Sequence, residues 1–199
     1  MNAHTMLRNH TPIFAALLLL SACDAAPPAE PPLAGAAIGG DFTLTGENGD
    51  EVSWGDFDGQ YRTLYFGYAY CPDVCPVDNQ RAMAGLKAFE QAHPELGSQI
   101  QPLFISVDPG RDTPAVLTEF TANFHPRLIG LTGTKAQIDE VTGKFAATYS
   151  IGDKQEGGGY LVGHTNITYL FGPEGEPLAI LPTDEGAEAV AAELEKWVR

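Results

Sequence analysis

The sequence predicts an α/β protein in which a mixed sheet carries helices on both faces and is extended by an N-terminal β-hairpin. Two patterns support this fold class. In the middle of the 199-residue chain, apolar strands alternate with helices that begin at recognisable caps, which is typical of strand–helix–strand units. Near the C-terminus, two apolar runs are joined by a short turn, and a last helix follows. The folded part holds about 160 residues, enough for one domain with its own core.

The first half of the chain contains the hairpin and two strands that flank a long helix. Turn residues between two short runs predict the hairpin, and longer apolar runs predict the strands. The helix is predicted to follow Cys75, with Pro76 at its first position, and to end before Pro94. The predicted ranges are 42–45 and 51–54 for the hairpin, 63–68 for the first strand, 77–92 for the helix and 100–107 for the second strand.

The second half contains two capped helices, three strands and a terminal helix. Thr113 precedes Pro114 and Thr134 precedes Lys135, so each threonine is predicted to cap the helix that follows. The capped helices are predicted from 114 to about 124 and from 135 to about 148, the strands at 128–131, 167–171 and 178–181, and the terminal helix at 184–198.

The first 22 residues have the features of an export signal. Arg8 is their only formal charge, an apolar run follows at 13–20, and small residues precede Cys23. The apolar run is well short of the ~20 residues that a membrane-spanning helix needs. The sequence therefore predicts a protein that is carried out of the cytoplasm.

Cys23 is a candidate for a lipid anchor. Residues 20–23, Leu-Ser-Ala-Cys, resemble the bacterial lipobox, in which the cysteine is acylated and becomes the first residue of the mature protein. A cleaved signal with a chance cysteine is the alternative. We predict a lipoprotein signal peptide at 1–22, a flexible tether rich in alanine, proline and glycine at 23–40, and a folded domain at 41–199. The domain would then lie in the bacterial periplasm, anchored to the membrane.

The chain is acidic, with 11 basic against 26 acidic residues and a formal net charge of −15 at pH 7. Removal of the signal takes away Arg8 and no acidic residue, so the exported protein is more acidic still. This charge argues against nucleic acid as a partner and against electrostatic binding to anionic lipid. It is compatible with a basic protein partner or with cation delivery, and equally with an acidic surface that keeps an exported protein soluble.

Cys71 and Cys75 lie in the run Tyr-Cys-Pro-Asp-Val-Cys-Pro, where the first strand meets the long helix. Their i, i+4 spacing places both sulfurs on one face of the first helical turn. Such a pair can do redox chemistry, hold a soft metal or form a disulfide, and the spacing leaves all three open. Because a helix N-terminus stabilises negative charge, we expect both thiols to have lowered pKa values.

The element order around the cysteines resembles the thioredoxin-like arrangement, with one residue more between them than a thioredoxin-type motif has. In a thioredoxin-like sheet, the loop before the strand at 167–171 faces the cysteines. Thioredoxins have a cis-proline in this loop, whereas here the loop has no proline and contains His164. The other histidines of the exported part, His93 and His125, lie beside prolines at predicted helix ends.

Two thiolates and one imidazole form a soft donor set that suits Cu(I) and tolerates Cu(II) when an oxygen ligand is added. A structural zinc site would want a fourth protein ligand. The residues therefore favour copper, with Cys71, Cys75 and His164 as the metal ligands.

Four ordered motifs are similar to those of the Sco/SenC family, the copper-binding thioredoxin-like proteins of cytochrome c oxidase assembly. They are GYAYCPDVCP at 67–76, SVDPGRDTP at 106–114, GLTG at 130–133 and HTNITYLFGPEG at 164–175. The resemblance covers the chain from about residue 39 and implies a thioredoxin-like Sco domain that binds copper through the three ligands. It also implies that copper, or the reducing equivalents of the thiols, passes to the dinuclear copper site of the oxidase. The implied partner is the copper-site subunit or another copper chaperone.

One position departs from the family pattern. The family usually carries an aspartate directly before this histidine, and the present chain has Gly163. This difference bears on Cu(II) handling and on the contacts around the metal ligands more than on Cu(I) binding. Asp73, between the cysteines, is the nearest candidate acid for such a contact, although the dipole of a helix N-terminus also favours an aspartate there.

Two functions are consistent with these residues, and they use the same sulfurs. One is a membrane-tethered copper chaperone that passes its metal by ligand exchange. The alternative is a thiol–disulfide reductase, catalytic through Cys71 and Cys75, that keeps the copper-ligand cysteines of the oxidase reduced. Peroxide reduction is less well supported, because residues 66–69 lack the threonine or serine that peroxiredoxins carry before their cysteine.

Asp108, Arg111 and Asp112 resemble a catalytic cluster, but the run Asp-Pro-Gly-Arg-Asp-Thr-Pro is typical of a turn followed by a helix start. We expect Arg111 to pair with a neighbouring acid and fix this turn. Tyr68 and Tyr70 belong to an aromatic run that mostly packs the first strand, and both can shield a metal held by the cysteines.

Overall fold

The computed structural model describes Met1, residues 30–155 and residues 157–199. Cys23, the predicted export signal apart from Met1, and the first part of the predicted tether lie outside these described residues. Within the described part of the chain, no helix has the length and the apolar character needed to cross a membrane.

The described residues contain nine strands, which form a seven-stranded mixed sheet and a separate two-stranded sheet. Along the chain they are β1 (Thr43–Gly46), β2 (Glu51–Ser53), β3 (Tyr61–Gly67), β4 (Ile100–Ser106), β5 (Ile129–Thr132), β6 (Tyr149–Ile151), β7 (Val162–His164), β8 (Thr168–Phe171) and β9 (Pro177–Leu181). The large sheet has the order β2-β1-β5-β4-β3-β8-β9. Its inner strands β5, β4 and β3 are parallel, and β1 and β8 on either side run antiparallel to them.

Helices connect the parallel strands and close the chain. They are α1 (Val74–Ala92), α2 (Pro94–Gly97), α3 (Pro114–Thr121), α4 (Lys135–Lys144) and α5 (Ala187–Trp197). α1 packs against α5, and α3 packs on β5. The capping predictions are confirmed, because Thr113 and Thr134 accept hydrogen bonds from the third N–H group of α3 and α4. The mixed sheet and the helices that connect its strands confirm the predicted mixed α/β class.

β3 lies inside the sheet between β4 and β8 and is buried along its whole length. Arg62 lies fully buried within it, where an unpaired charge would be very costly. Its guanidinium donates to Asp58 Oδ1 over 2.9 Å and to the carbonyl of Gly172 over 3.2 Å, and lies 4.6 Å from the centroid of the Trp54 ring. These contacts fix the segments before β3 and after β8 to β3.

α1 begins earlier than predicted, and this shifts the cysteines relative to the helix. Its first residue is Val74, so Pro76 is the third residue of the helix and not the first. The first four N–H groups of a helix have no acceptor within it, so a proline is tolerated throughout this turn. Cys75 therefore lies in the first turn, whereas Cys71 precedes the helix and donates its N–H to the carbonyl of Tyr68 over 3.2 Å.

The sequence-based prediction missed β6 and β7. We expected a helix to about residue 148 and then a loop, but α4 ends at Lys144 because Ala146 adopts a left-handed backbone with φ of 51°. β6 and β7 pair antiparallel, with Tyr149 opposite His164. Strands of three residues are too short for an alternating pattern to be recognised.

Other element ends differ by a few residues. α3 ends at Thr121 rather than near residue 124, and a 3-10 helix at Thr183–Glu185 precedes α5, which begins at Ala187. The N-terminal hairpin forms as β1 and β2 and joins the large sheet, because β1 pairs with β5.

Residues 30–40, the described part of the predicted tether, contact the domain. The Leu33 N–H donates to the carbonyl of Leu178 over 3.0 Å, and the Gly39 N–H donates to the carbonyl of Lys144 over 2.9 Å. Leu33 and Ile38 are partly buried against the core. This segment therefore adds apolar contacts to the folded domain.

The close approach of α1 and α5 requires Gly85. A Cβ at this position would lie 2.5 Å from Val190 Cγ1 and 2.8 Å from the carbonyl oxygen of Ala187. We predict that Gly85→Ala lowers the free energy of unfolding by about 1–3 kcal/mol, because the two helices would have to separate. Urea unfolding followed by circular dichroism measures this change.

Gly143, in α4, is the matched control for this prediction. A Cβ there would meet no atom within 4 Å, so Gly143→Ala should raise the free energy of unfolding by about 0.5–1 kcal/mol through the lower helix propensity of glycine. Equal effects of the two substitutions would show that contact between α1 and α5 is not what requires glycine at position 85.

Candidate metal centre

Three predicted ligands converge at one end of the fold. Cys71 lies between β3 and α1, Cys75 in the first turn of α1, and His164 at the end of β7. One ligand atom from each residue lies within 4.8 Å of the others. The distance between Cys75 Sγ and His164 Nε2 is 3.0 Å. Both cysteines carry free thiols.

Cys75 is fully buried, and its surroundings hold its sulfur in place. Its N–H lies 3.5 Å from Cys71 Sγ, and Asn79 donates its side-chain amide to the Cys75 carbonyl over 2.8 Å. Gly67 leaves the space for the sulfur, because a Cβ there would lie 3.0 Å from Cys75 Sγ and 2.8 Å from a ring carbon of Tyr65.

Burial raises the pKa of the Cys75 thiol, which is the opposite of our expectation from the helix N-terminus. The thiolate would lose its hydration in this buried position, and this cost exceeds the stabilisation that the backbone hydrogen bond of Tyr68 provides. The prediction of lowered pKa values for both thiols is therefore wrong for Cys75. A thiol that resists ionisation in water-free surroundings needs a cation close by to hold it as thiolate.

The imidazole of His164 has one nitrogen directed at the cysteines and the other at the backbone. Nδ1 lies 3.1 Å from the carbonyl oxygen of Thr165. Because a carbonyl can only accept, this contact places the ring proton on Nδ1 and leaves the lone pair of Nε2 directed toward Cys75 Sγ. This is the tautomer that a metal-binding histidine needs.

Tyrosine rings surround the His164 imidazole. The ring centroids of Tyr65 and Tyr68 lie 5.9 Å and 5.8 Å from that of His164, both in edge-on geometry. Both tyrosines are buried, and the Tyr65 hydroxyl donates to Asp78 Oδ2 over 3.2 Å. Tyr70 is 54% exposed and contributes to the surface near Cys71. Of the two tyrosines expected to shield the site, Tyr68 contacts the histidine.

An open cavity of about 370 Å³ gives access to the site from solvent. Its lining includes Cys71 and His164 but not Cys75. Asp73 and Gly163 also line it, and Asp73 occupies the N-cap position of α1 without a side-chain hydrogen bond to the helix. Asp78 instead reaches the surroundings of the site, where it accepts the hydrogen bond from the Tyr65 hydroxyl, and no sequence pattern pointed to it.

Among the described residues, the other histidines are His93 and His125, and both lie elsewhere. His93, at the end of α1, pairs with Glu195 over 3.5 Å. His125 is buried, contacts Glu90 through Nε2 over 3.2 Å and accepts a hydrogen bond from the backbone of Arg127. Neither belongs to the three-ligand cluster.

The run after β4 forms the predicted turn. Arg111 pairs with Asp108, which confirms the prediction that it pairs with a neighbouring acid. Asp112 accepts hydrogen bonds from Ser106 Oγ over 2.5 Å and from the Ala69 N–H over 2.8 Å, and burial raises its pKa. This turn therefore contacts the segment that leads to Cys71.

The model of the SCO1/SenC family matches residues 30–199. This chain belongs to the SCO1/SenC family. Protein SenC of Rhodobacter capsulatus is 44% identical over 161 residues, which cover 79% of this chain and 69% of that protein. The mitochondrial human SCO1 homolog is 37% identical over 164 residues, or 81% of this chain and 53% of that protein. The chain thus spans about half the length of the human relative.

Solved structures of family members have the same fold. ScoI of Arabidopsis thaliana with copper bound superimposes with a TM-score of 0.75 and 32% identity, covering 80% of this chain and 97% of that one. ScoI of Bradyrhizobium japonicum with copper bound gives a TM-score of 0.72 and 33% identity, covering 81% and 99%. The thioredoxin-like fold predicted from the sequence is therefore confirmed.

The burial of the two thiols predicts unequal reactivity. Iodoacetamide should modify Cys71 before Cys75 in the reduced, metal-free protein, because only the thiolate reacts and Cys75 is both buried and raised in pKa. We expect Cys75 to react slower by about tenfold or more. Mass spectrometry of the peptides over time, near neutral pH, measures both rates. In urea the two rates should approach each other, and equal rates in the folded protein would contradict the prediction.

Proposed function

We propose that this protein is a membrane-tethered copper chaperone that supports assembly of the dinuclear copper site of cytochrome c oxidase. The observation that carries the proposal is the convergence of Cys71 Sγ, Cys75 Sγ and His164 Nε2 within 4.8 Å. Two sulfur donors and one imidazole nitrogen suit Cu(I) by their softness. Membership of the SCO1/SenC family, and similarity to two ScoI structures with copper bound, support the same assignment.

The unequal exposure of the three metal ligands supports transfer of the copper to a partner protein. Cys75 is buried beneath the site, whereas Cys71 and His164 line the open cavity. An incoming donor from a partner would reach the copper from the side of Cys71 and His164, while Cys75 stays bound. Ligand exchange from this side lets the copper pass to the partner without being released into water.

The predicted targeting segments support a place outside the cytoplasm. Residues 1–22 would direct export, and lipidated Cys23 would hold the domain to the membrane on the periplasmic side. The copper-site subunit of the oxidase, or another copper chaperone, would be the partner. An acidic exported chain, with a formal net charge of −15 before signal removal, suits a basic partner surface.

A thiol–disulfide reductase is the second candidate function, and the different exposure of the two thiols favours it. Cys71 is partly exposed where it lines the open cavity, and Cys75 is buried close to it, as an attacking and a resolving thiol would be. Cys71 thiolate would attack a partner disulfide to form a mixed disulfide, and Cys75 would then displace the partner thiolate. The two thiols of this protein become a disulfide, and the partner disulfide is reduced to two thiols.

Copper binding should depend on His164. We predict that the reduced protein binds one Cu(I), measured by competition with a chromophoric chelator. His164→Ala should lower the Cu(I) affinity by at least about tenfold, because loss of a ligand costs at least as much as loss of a residue that only contacts a ligand. His93→Ala is the matched control, because His93 lies at the other end of α1. Unchanged affinity in His164→Ala would remove the histidine from the site.

The same variant separates the two functions. When copper-loaded protein is mixed with the metal-free copper domain of the oxidase, the chaperone predicts transfer of copper that His164→Ala impairs. In a second experiment, reduced, metal-free protein is mixed with the same domain carrying a disulfide, and the reductase hypothesis predicts that the thiols of this protein are oxidised. His164→Ala should leave this oxidation intact, whereas Cys71→Ser or Cys75→Ser should abolish it. Copper analysis after separation and thiol counting measure the two outcomes.

A further inference from the structure

Arg111 lies where three segments around the candidate metal centre meet. Its guanidinium carbon is 3.6 Å from the centroid of the Tyr160 ring, and 5.6 Å and 5.4 Å from those of Tyr68 and Tyr70. The Arg111 side chain is 24% exposed, so most of the cation is removed from water. A guanidinium against an aromatic face is held more strongly when it is desolvated.

The carboxylate of Asp108 connects Arg111 to Tyr160 a second time. Oδ2 accepts a hydrogen bond from Arg111 Nε over 2.5 Å, and Oδ1 accepts one from the Tyr160 hydroxyl over 2.7 Å. The Asp108 side chain is 1% exposed, so its charge is balanced by these partners and not by water. We call Asp108, Arg111 and Tyr160 the arginine clamp.

The arginine clamp joins the cysteine segment to the histidine segment. Tyr70 directly precedes Cys71, and His164 is the fourth residue after Tyr160. β6 and β7 form a sheet of their own. Within residues 30–155 and 157–199, the strand that carries His164 therefore pairs with no strand of the seven-stranded sheet. Apart from the short connection at 165–167 that joins β7 to β8, the position of His164 relative to the cysteines therefore depends on side-chain contacts between the two segments, and the clamp supplies such contacts.

The turn after β4 does not require the side chains of the clamp. Its backbone closes through hydrogen bonds from the N–H groups of Arg111 and Asp112 to the Asp108 carbonyl, over 3.1 Å and 2.9 Å. The Asp108 N–H is satisfied by Ser106 Oγ over 3.0 Å. The guanidinium therefore reaches out of the turn to the Tyr160 ring, and the Tyr160 hydroxyl reaches back to Asp108 from the segment that leads into β7.

We propose that Arg111 and Tyr160 are positioning residues that hold the His164 imidazole against the two cysteines. The expected effect on Cu(I) affinity rests on the proposed copper binding. The position of the His164 ring beside the cysteines in the metal-free protein does not. A lysine at position 111 keeps the charge but loses the planar group that stacks on Tyr160 and the Nε that bonds Asp108. A phenylalanine at position 160 keeps the stacked ring and loses only the hydroxyl contact with Asp108.

The test compares Arg111→Lys and Tyr160→Phe in the full chain, each with and without His164→Ala. Alone, Arg111→Lys should lower the Cu(I) affinity by about tenfold, the effect typical of losing a residue that supports a metal ligand without binding the metal. Tyr160→Phe should lower the affinity by less. In the His164→Ala background both should change affinity by less than about twofold, because the group that they position is gone. Arg127→Lys is the matched control, since Arg127 fixes a turn beside Glu90 and Ile100.

A second readout needs no copper. In metal-free protein, nuclear Overhauser contacts between the His164 ring and the Cys75 β-protons should be present in the wild type and in Arg127→Lys, and weakened in Arg111→Lys. Wild-type protein that shows these contacts but binds no Cu(I) would end the proposed function and leave the positioning role supported. Unchanged contacts in Arg111→Lys and Tyr160→Phe, or an equal loss of affinity with and without His164, would overturn the positioning role.

Discussion

The Cys75 sulfur is fully buried at the start of α1, and most features of the candidate centre depend on keeping a donor atom there. Gly67 leaves room for the sulfur, because a Cβ at that position would lie 3.0 Å from it and 2.8 Å from the Tyr65 ring. Asn79 holds the carbonyl of Cys75, and His164 meets the sulfur at 3.0 Å from the other side. A large sulfur atom in a close-packed interior needs neighbours shaped to it, and a change in any of them would shift the donor.

Burial also decides which chemistry suits the site. A helix N-terminus favours thiolate, but the desolvation of Cys75 has the larger effect and raises its pKa. A buried thiol of this kind reacts slowly with dissolved electrophiles and oxidants, yet it is a good donor once a soft cation replaces its proton. Cys71, at the cavity, remains open to partners. One site thus combines a retained donor with an accessible one.

The elements of the fold and the cysteine pair could be predicted because they depend on local signals, and His164 could be predicted through the resemblance to the thioredoxin-like arrangement. Caps, turns and apolar runs identified the strands of the large sheet and its helices in their order along the chain. The spacing of Cys71 and Cys75 identified the pair. The burial that raises the pKa of Cys75 and the contact of Tyr65 with His164 could not be predicted, since both depend on how residues far apart in the sequence pack together. The short pairing of β6 with β7 gave no periodic pattern either.

The separate two-stranded sheet has a consequence for the three donors as a set. Both sulfurs are attached to a segment continuous with β3, the most deeply embedded strand, while the imidazole belongs to a ribbon outside that sheet. Displacement of the ribbon would break none of the backbone hydrogen bonds between the seven strands. Any shift of this ribbon would therefore change the distance from the nitrogen to the sulfurs and leave the distance between the two sulfurs unaffected.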